Sequence, residues 1–518
     1  MTLAQWFVFF LIVQVIHFLG TWRLYEAAGR KRWEAAVPVY NAIILMKIIG
    51  RPAWWTILLF VPVVNLIMFP VVWIETLRSF GKNTTTDTVL GVVTLGFYIY
   101  YVNYTQPLNH ITTRSLRPKS KSGDTISSLL FAIIVATLVH TYIMQPFTIP
   151  TSSLEKSLLV GDFLFVSKFH YGARTPMTPI AAPMVHDTLP LTHNKSYSRW
   201  PQLPYFRFPG MEKVHRNDIV VFNWPVDTVY KFFDRSGRKV DKPIDKKSNY
   251  VKRCVGTPGD SLLIRDGEIY INNKKLILPD RAKPQFSYSI TYDKSTPIDF
   301  EYLLRDMKVT DGAGFRDTDV NRDTLIIKAL TMENAERLKN VPGIKTVTRN
   351  IAKGPEYGTF PNNQWNRDNF GPIYIPEEGK TVVLDAKTLP FYKRIITEYE
   401  GNDLKVTGNE IRINGKIANS YTFRQNYYWM MGDNRHNSED SRYWGYVPEN
   451  HIVGKPVFIW MSLDSHESGL KKIRWERLFT TVGGDGQPVS YLKFFLIALV
   501  AYFGIDFYLK KKKRETKE

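Results

Sequence analysis

A membrane-spanning helix needs about 20 mostly apolar residues. This 518-residue chain holds five runs that approach that requirement: Leu3–Leu19, Ala53–Glu75, Thr88–Val102, Ile126–Phe147 and Tyr491–Leu509. The first, fourth and fifth are the cleanest. The second carries Pro62, Asn65 and Pro70, and the third is short and rich in Gly and Tyr. The chain has 68 Lys+Arg against 48 Asp+Glu, a net +20, which would suit either nucleic acid or an anionic membrane. The placement of that charge favours the membrane. Arg23 with Arg30, Lys31 and Arg32, then Arg114 with Arg117, Lys119 and Lys121, then Lys510–Arg514 with Lys517, each flank an apolar run, as cytoplasmic flanks do. No positive charge precedes the first run, so it lacks the basic n-region of a cleavable leader and reads as an anchor with its N-terminus outside. Five crossings then place residues from about 145 to 489 outside and return the chain to the inside at Lys510.

The external body reads as mainly β. Asp218–Phe222, Lys380–Leu384 and Ile452–Trp460 are short runs rich in β-branched and aromatic residues, bounded by turn residues. The segments Gly267–Lys274 and Gly408–Lys416 alternate apolar with polar residues and then supply Asn-Asn or Asn-Gly, which predicts two hairpins. Thr331–Lys339 has the period of one amphipathic helix. A hydrophobic share of 44% excludes a disordered chain. The single cysteine, Cys254, excludes a disulfide framework and any multi-cysteine metal site.

Zinc, P-loop and G-x-S-x-G patterns are missing from the sequence. Three segments carry possible chemistry. Thr151, Ser152 and Ser153 follow Pro150 just beyond the fourth run; alone, such hydroxyl clusters are usually caps and turns. In Tyr250–Asp260 (Y-V-K-R-C-V-G-T-P-G-D), strand alternation puts Tyr250, Lys252 and Cys254 on one face. Lys252 then points inward, where burial would ease loss of its proton, and Arg253 reaches solvent. Gly432–Gly445 (G-D-N-R-H-N-S-E-D-S-R-Y-W-G) is too polar to bury unless its members bond one another.

In order and wording, these segments resemble bacterial type I signal peptidase (leader peptidase), a membrane protease with a serine/lysine dyad. The resemblance covers about residues 145–275 and 405–460. It implies a mainly β, coiled-sheet catalytic domain, with several transmembrane helices before it and one after. Aligning on Leu158 and Gly161-Asp162 carries the nucleophile onto Ser153 and the oxyanion-hole donors onto Thr151 and the Ser153 N–H. The lysine motif carries the general base onto Lys252. The third motif carries a supporting serine onto Ser438 and a buried ion pair onto Asp440 and Arg442, with Asp433 and Asn434 also supporting. Arg216–Phe222 resembles a further family strand. The departures are Ser152, Leu154, Lys156, Ser157 and His436, at places where the family favours other residues.

The implied organisation is a multi-span region at 1–125, a transmembrane helix at 126–147 and a catalytic domain in two parts, 145–279 and 401–489. Residues 280–400 form an insertion, 490–509 the last transmembrane helix and 510–518 a basic cytoplasmic tail. The implied activity is removal of signal peptides from exported preproteins at the bacterial inner membrane, on its periplasmic or external side, with no metal or cofactor. The partners are preproteins and the lipid bilayer, not nucleic acid. Apolar residues of 146–149 and 158–165 are expected to wall shallow pockets for small side chains. Two rivals share the motifs: a Ser/Lys protease dedicated to one partner, and an inactive binding or scaffold protein.

Overall fold

A computed structural model describes residues 2–117, 120–234, 236–315, 323–484 and 486–515. Lys119, Lys517 and the side chains from Lys513 onward, all assigned above to basic flanks, lie outside the described residues. The chain forms two compact units. One comprises Met1–Ile143, Ala173–Phe208 and Asp227–Ser248; the other comprises Met144–Gly172, Pro209–Val226 and Asn249–Glu518.

In the first unit, a capping box between Thr2 and Gln5 starts the helix Leu3–Ala27. Among the described residues three helices are long and apolar enough to cross a bilayer: Leu3–Ala27, Lys121–Ile143 and Leu492–Lys512. The two middle apolar runs depart from expectation. Ala53–Glu75 breaks into the helices Trp55–Leu58 and Asn65–Ser79, with Val63 at φ +70° between them. Its flanks meet, because Arg51 Nε donates to Glu75 Oε2 at 3.0 Å and Arg114 Nη2 donates to the same oxygen at 2.6 Å. Thr88–Val102 likewise breaks into Thr85–Val93 and Tyr98–Thr105, and Lys82 Nζ beyond one end donates to Gln106 Oε1 beyond the other at 2.9 Å. A chain whose two ends bond each other has turned back. Each run therefore doubles back as two short helices, at Val63 in one and at Leu95 (φ +52°) with Gly96 in the other.

The segments Ala173–Phe208 and Asp227–Ser248 carry little regular structure and are held by side chains. Asp245 accepts the Met177 and Thr178 backbone N–H groups at 2.9 and 3.0 Å and the Thr178 hydroxyl at 2.6 Å. The buried Lys242 pairs with the buried Asp227 at 3.0 Å. Trp6, near the start of the first helix, donates to the Gln202 carbonyl at 3.0 Å. Tyr142, at the end of the helix Lys121–Ile143, meets the Phe208 ring edge-on at 6.1 Å. The beginning of one long helix and the end of another therefore lie against the same lobe.

The second unit is built on an antiparallel sheet in the order Met144–Thr148, Asp162–Ser167, Ile452–Ser462, Ile219–Asn223, Asn249–Gly256, Tyr427–Met431 and Val447–Pro448, with Thr480–Thr481 as a side branch. The long strand Ile452–Ser462 pairs with Asp162–Ser167 toward one end and with Ile219–Asn223 at the other, and register shifts let the sheet curl. Ile149, Leu154, Leu158, Leu164, Ile219, Val221 and Ile459 form one core beneath it. At about 25 cal/mol per Å² of apolar surface, each such side chain contributes roughly 1.5–3 kcal/mol of burial. Leu158 and Leu164 were expected as pocket walls; both are fully buried core residues, whereas Phe147, Phe163 and Phe165 remain partly exposed. Both expected hairpins form, with Asn272-Asn273 and Asn414-Gly415 all at positive φ in the turns, the conformation a tight two-residue hairpin requires.

The insertion contains a module of its own. Its strands Gln285–Tyr292, Ala313–Phe315, Thr324–Thr331 and Ile344–Arg349 alternate with the helices Phe300–Asp306 and Met332–Lys339. In chain order this is β-α-β-β-α-β, and in space the fourth strand lies beside the first, then the third, then the second, all antiparallel. That is the split-βαβ, ferredoxin-like arrangement. The helix expected from Thr331 is present, capped by that residue. Phe286, Tyr288, Ile290, Leu325, Ile327 and Leu338 form the module's core. The hydroxyl residues of the first strand, at 287, 289 and 291, alternate with that core and leave the other sheet face polar.

Candidate active site

Lys252 and Ser153 meet, although 99 residues separate them. The lysine sits in the strand Asn249–Gly256, opposite Val220 of Ile219–Asn223. The serine lies in a single 3-10 turn, Ser152–Leu154, anchored by Leu154 in the core. The Lys252 amine donates to Ser153 Oγ at 2.7 Å and to the Val251 carbonyl at 3.2 Å. Lys252 is 4% exposed and Ser153 7%. The Tyr250 ring, on the same strand face, lies 5.2 Å from the ammonium nitrogen. Burial pulls the Lys252 amine down to about 8, against the opposing pull of the Asp440, Glu439 and Asp433 carboxylates. A lysine in this setting exchanges its proton near neutral pH.

Two asparagines hold the serine turn. The Asn434 backbone N–H donates to the Ser153 carbonyl at 3.0 Å and its side-chain amide to the Ser152 carbonyl at 3.2 Å. Asn437 Nδ2 donates to Ser152 Oγ at 3.0 Å. The two neighbouring hydroxyls thus face different partners: Ser153 faces an amine, and Ser152 an amide. Thr151 is exposed and extended, and its side chain caps no N–H of the turn. The first N–H groups of a helical turn have no partner within it, and the Ser153 N–H belongs to that set.

The third motif is a buried polar lattice. Arg442 donates from Nε and Nη2 to the two Asp440 oxygens, each at 2.8 Å, and from Nη2 to the Arg435 carbonyl at 2.7 Å. Both side chains are at most 1% exposed. Against burial, which raises it, the Arg442 charge holds the Asp440 carboxyl below the usual range. Asp433 pairs with Arg253 in the same two-point way, at 2.8 and 2.7 Å. The sequence placed Arg253 in solvent; the structure buries it at 3% exposure, because the third motif covers that face and supplies the Asp433 carboxylate. Ser438 Oγ is buried with no hydrogen bond. No bond from it to Lys252 is present among the described residues.

The sequence signalled neither the separation of the two serines by Asn437 nor the reason for the motif departures. Lys156 stands at φ +73°, and its ammonium donates to the Lys308 carbonyl of the insertion. Ser157 Oγ donates to Asp433 Oδ2 at 2.6 Å and accepts from the Lys283 N–H at 3.2 Å. His436 Nδ1 accepts the Ser287 N–H at 3.0 Å, and its Nε2 faces Asp368 Oδ1 at 2.9 Å. These three departures are contacts to the inserted segment.

Comparison with known proteins bears on the same regions. A family model described as signal peptidase, peptidase S26, matches residues 122–323 and 417–461, and a family of unknown function (DUF5684) matches residues 33–112. Signal peptidase I of Haemophilus influenzae is 24% identical over 380 residues, covering 71% of this chain and 78% of that protein. Signal peptidase I of Buchnera aphidicola subsp. Schizaphis graminum is 26% identical over 377 residues, 72% of this chain and 86% of its own length. Signal peptidase I of Helicobacter pylori is 24% identical over 372 residues, 69% and 92%. The chain carries a peptidase S26 domain, and its likeness to type I signal peptidases extends well beyond the motifs.

Proposed function

We propose that this peptidase S26 chain is a membrane-bound serine endopeptidase that removes signal peptides from exported preproteins through a dyad of Ser153 and Lys252. The observation that carries the reading is the 2.7 Å contact between a buried amine and a serine hydroxyl, with that amine lowered to about 8. With Lys252 neutral, the Ser153 hydroxyl donates to Nζ and its oxygen attacks the scissile carbonyl. The proton passes to Lys252, and the oxyanion is met by the Ser153 N–H and the Thr151 hydroxyl. One such donor is worth about 2.7–4 kcal/mol in a transition state. Lysine then protonates the departing amine, and a water activated by the same amine hydrolyses the acyl-enzyme. Asn434 and Asn437 fix the turn, while Asp440–Arg442 and Asp433–Arg253 fix the loop behind the amine.

The same reading places the catalytic residues outside the bacterial inner membrane, with three crossings. Two hairpins in place of two crossings leave every basic cluster on the side the charge rule gives it. The Trp6–Gln202 contact supports an external N-terminus, because Gln202 belongs to the stretch that lies between the second and third crossings. Cleavage of an exported precursor by the detergent-solubilised chain, with the new N-terminus sequenced, tests the activity. Ser153→Ala should leave no product and Ser152→Ala should retain most of the rate. A dead Ser152→Ala beside an active Ser153→Ala would move the nucleophile by one residue and remove the oxyanion role of Thr151.

A further inference from the structure

Beside the motif departures lies a cleft of about 510 Å³. His436 and Asn437 of the third motif line it, together with Ser287 and Lys328 from the polar face of the inserted sheet and the carboxylates Asp311 and Asp368. Its mouth adjoins the serine turn. A single amide nitrogen, Asn437 Nδ2, lies 3.0 Å from both Ser152 Oγ and Asp311 Oδ2, so about two residues of extended chain, at ~3.3 Å each, bridge the gap. The charges inside are unequally satisfied. Arg367 is paired with Glu356 and Asp368 with His436, and Asp311 takes amides from Asn434 and Asn437. Lys328 is exposed and enters no ion pair among the described residues.

We infer that this cleft receives the preprotein segment immediately after the cut, in extended form, and that Lys328 favours an acidic side chain there. The inference rests on the protease reading above. A signal peptide is apolar up to a small-residue cleavage site, and burying such a segment against carboxylates and amides would strand their hydrogen bonds. A hydrophilic mature segment has the matching chemistry: backbone N–H groups for Asp311 and Asp368, and a carboxylate for Lys328. The insertion is thus a selectivity element for the part of the substrate that is released.

The test uses the full-length protein in detergent and three precursors with one signal sequence. The first carries glutamates in the first few residues after the cut, the second carries lysines there, and the third is neutral there with glutamates at the same distance on the signal side. Wild type should cleave the first about two- to five-fold better than the second in kcat/KM, the scale of one exposed ion pair. Lys328→Glu should reverse that preference, and Lys471→Glu, at another exposed site, should leave it as in wild type. The melting midpoint of Lys328→Glu should match that of wild type, which shows that the variant is folded. An unchanged preference in Lys328→Glu overturns the inference, as does a charge effect confined to the third precursor. Failure of wild type to cleave any of the three removes the protease reading itself, a distinct outcome.

Discussion

Replacing Lys252 with methionine should abolish cleavage and at the same time make the protein more stable. The side chain is 4% exposed, and burial lowers its amine from the ordinary 10.5 to about 8. At about 1.4 kcal/mol per tenfold change in proton affinity, holding this group charged inside the protein at pH 7 costs roughly 3 kcal/mol. Methionine has nearly the same length and no charge. It forfeits the bonds to Ser153 Oγ and the Val251 carbonyl, each worth ~0.5–1.5 kcal/mol, so a net gain of about 0–2 kcal/mol is expected. The sign follows from proton binding. Between pH 8 and pH 10.5 the unfolded wild-type chain holds a proton on this lysine that the folded chain has lost, so wild-type stability rises with pH there. The advantage of Lys252→Met is therefore full below pH 8 and shrinks as pH approaches 10.5. Tryptophan fluorescence during heating of the detergent-solubilised chain, from pH 6.5 to 10.5, reads the difference, at about 2–4 °C per kcal/mol for a domain of this size. In parallel, the wild-type cleavage rate should climb about tenfold per pH unit below 8 and level off above it. A difference between the two melting midpoints that does not shift in favour of wild type between pH 6.5 and pH 10.5 would refute the claim that a desolvated amine sits beside Ser153.

Two further outcomes are expected. Asp440→Ala strands the buried Arg442 and should lose ~3–5 kcal/mol, whereas Glu410→Ala, at an ion pair more than 40% exposed on both sides, should change stability by ~0–1 kcal/mol; equal melting shifts for the two would show that the buried pair does not brace the loop. In a Cys254→Ser background, a membrane-impermeant thiol reagent added to intact cells should label Tyr357→Cys but neither Asn83→Cys nor Ser120→Cys, and labelling at Asn83 would restore the two discarded crossings.

Some parts of the fold were legible because their causes are local. Asn-Asn and Asn-Gly announced both hairpins through positive φ, and Thr331 announced a helix through its cap. The Lys252 strand was legible because alternation alone puts Tyr250 and Cys254 on its face. The inserted sheet was missed although Gln285–Tyr292 alternates aromatic and aliphatic residues with hydroxyls without interruption, a period-2 signal in plain view. Other features have no local signal. Arg253 alternates outward as expected, and only the arrival of Asp433 from 180 residues away buries it. The two middle apolar runs have the composition of spans, and only the bonds that join their ends, Arg51 to Glu75 and Lys82 to Gln106, show that each path reverses. Residues 173–208 are shaped by Asp245, a distant carboxylate that gathers backbone N–H groups, which no window of sequence contains.

The serine turn is clasped from far down the chain. Its carbonyl accepts the Asn434 N–H, and Asp162, at the end of the same loop, is held by Arg477 from 315 residues away. A ribosome delivers residues 153 and 252 long before it delivers 434 and 477, and domains take shape as their parts emerge. The apolar helix Lys121–Ile143 precedes the serine in the chain and emerges before it. Ser153 lacks its clasp throughout that interval. Synthesis itself acts as a timer, and the serine turn is set only when nearly the whole polypeptide has been made.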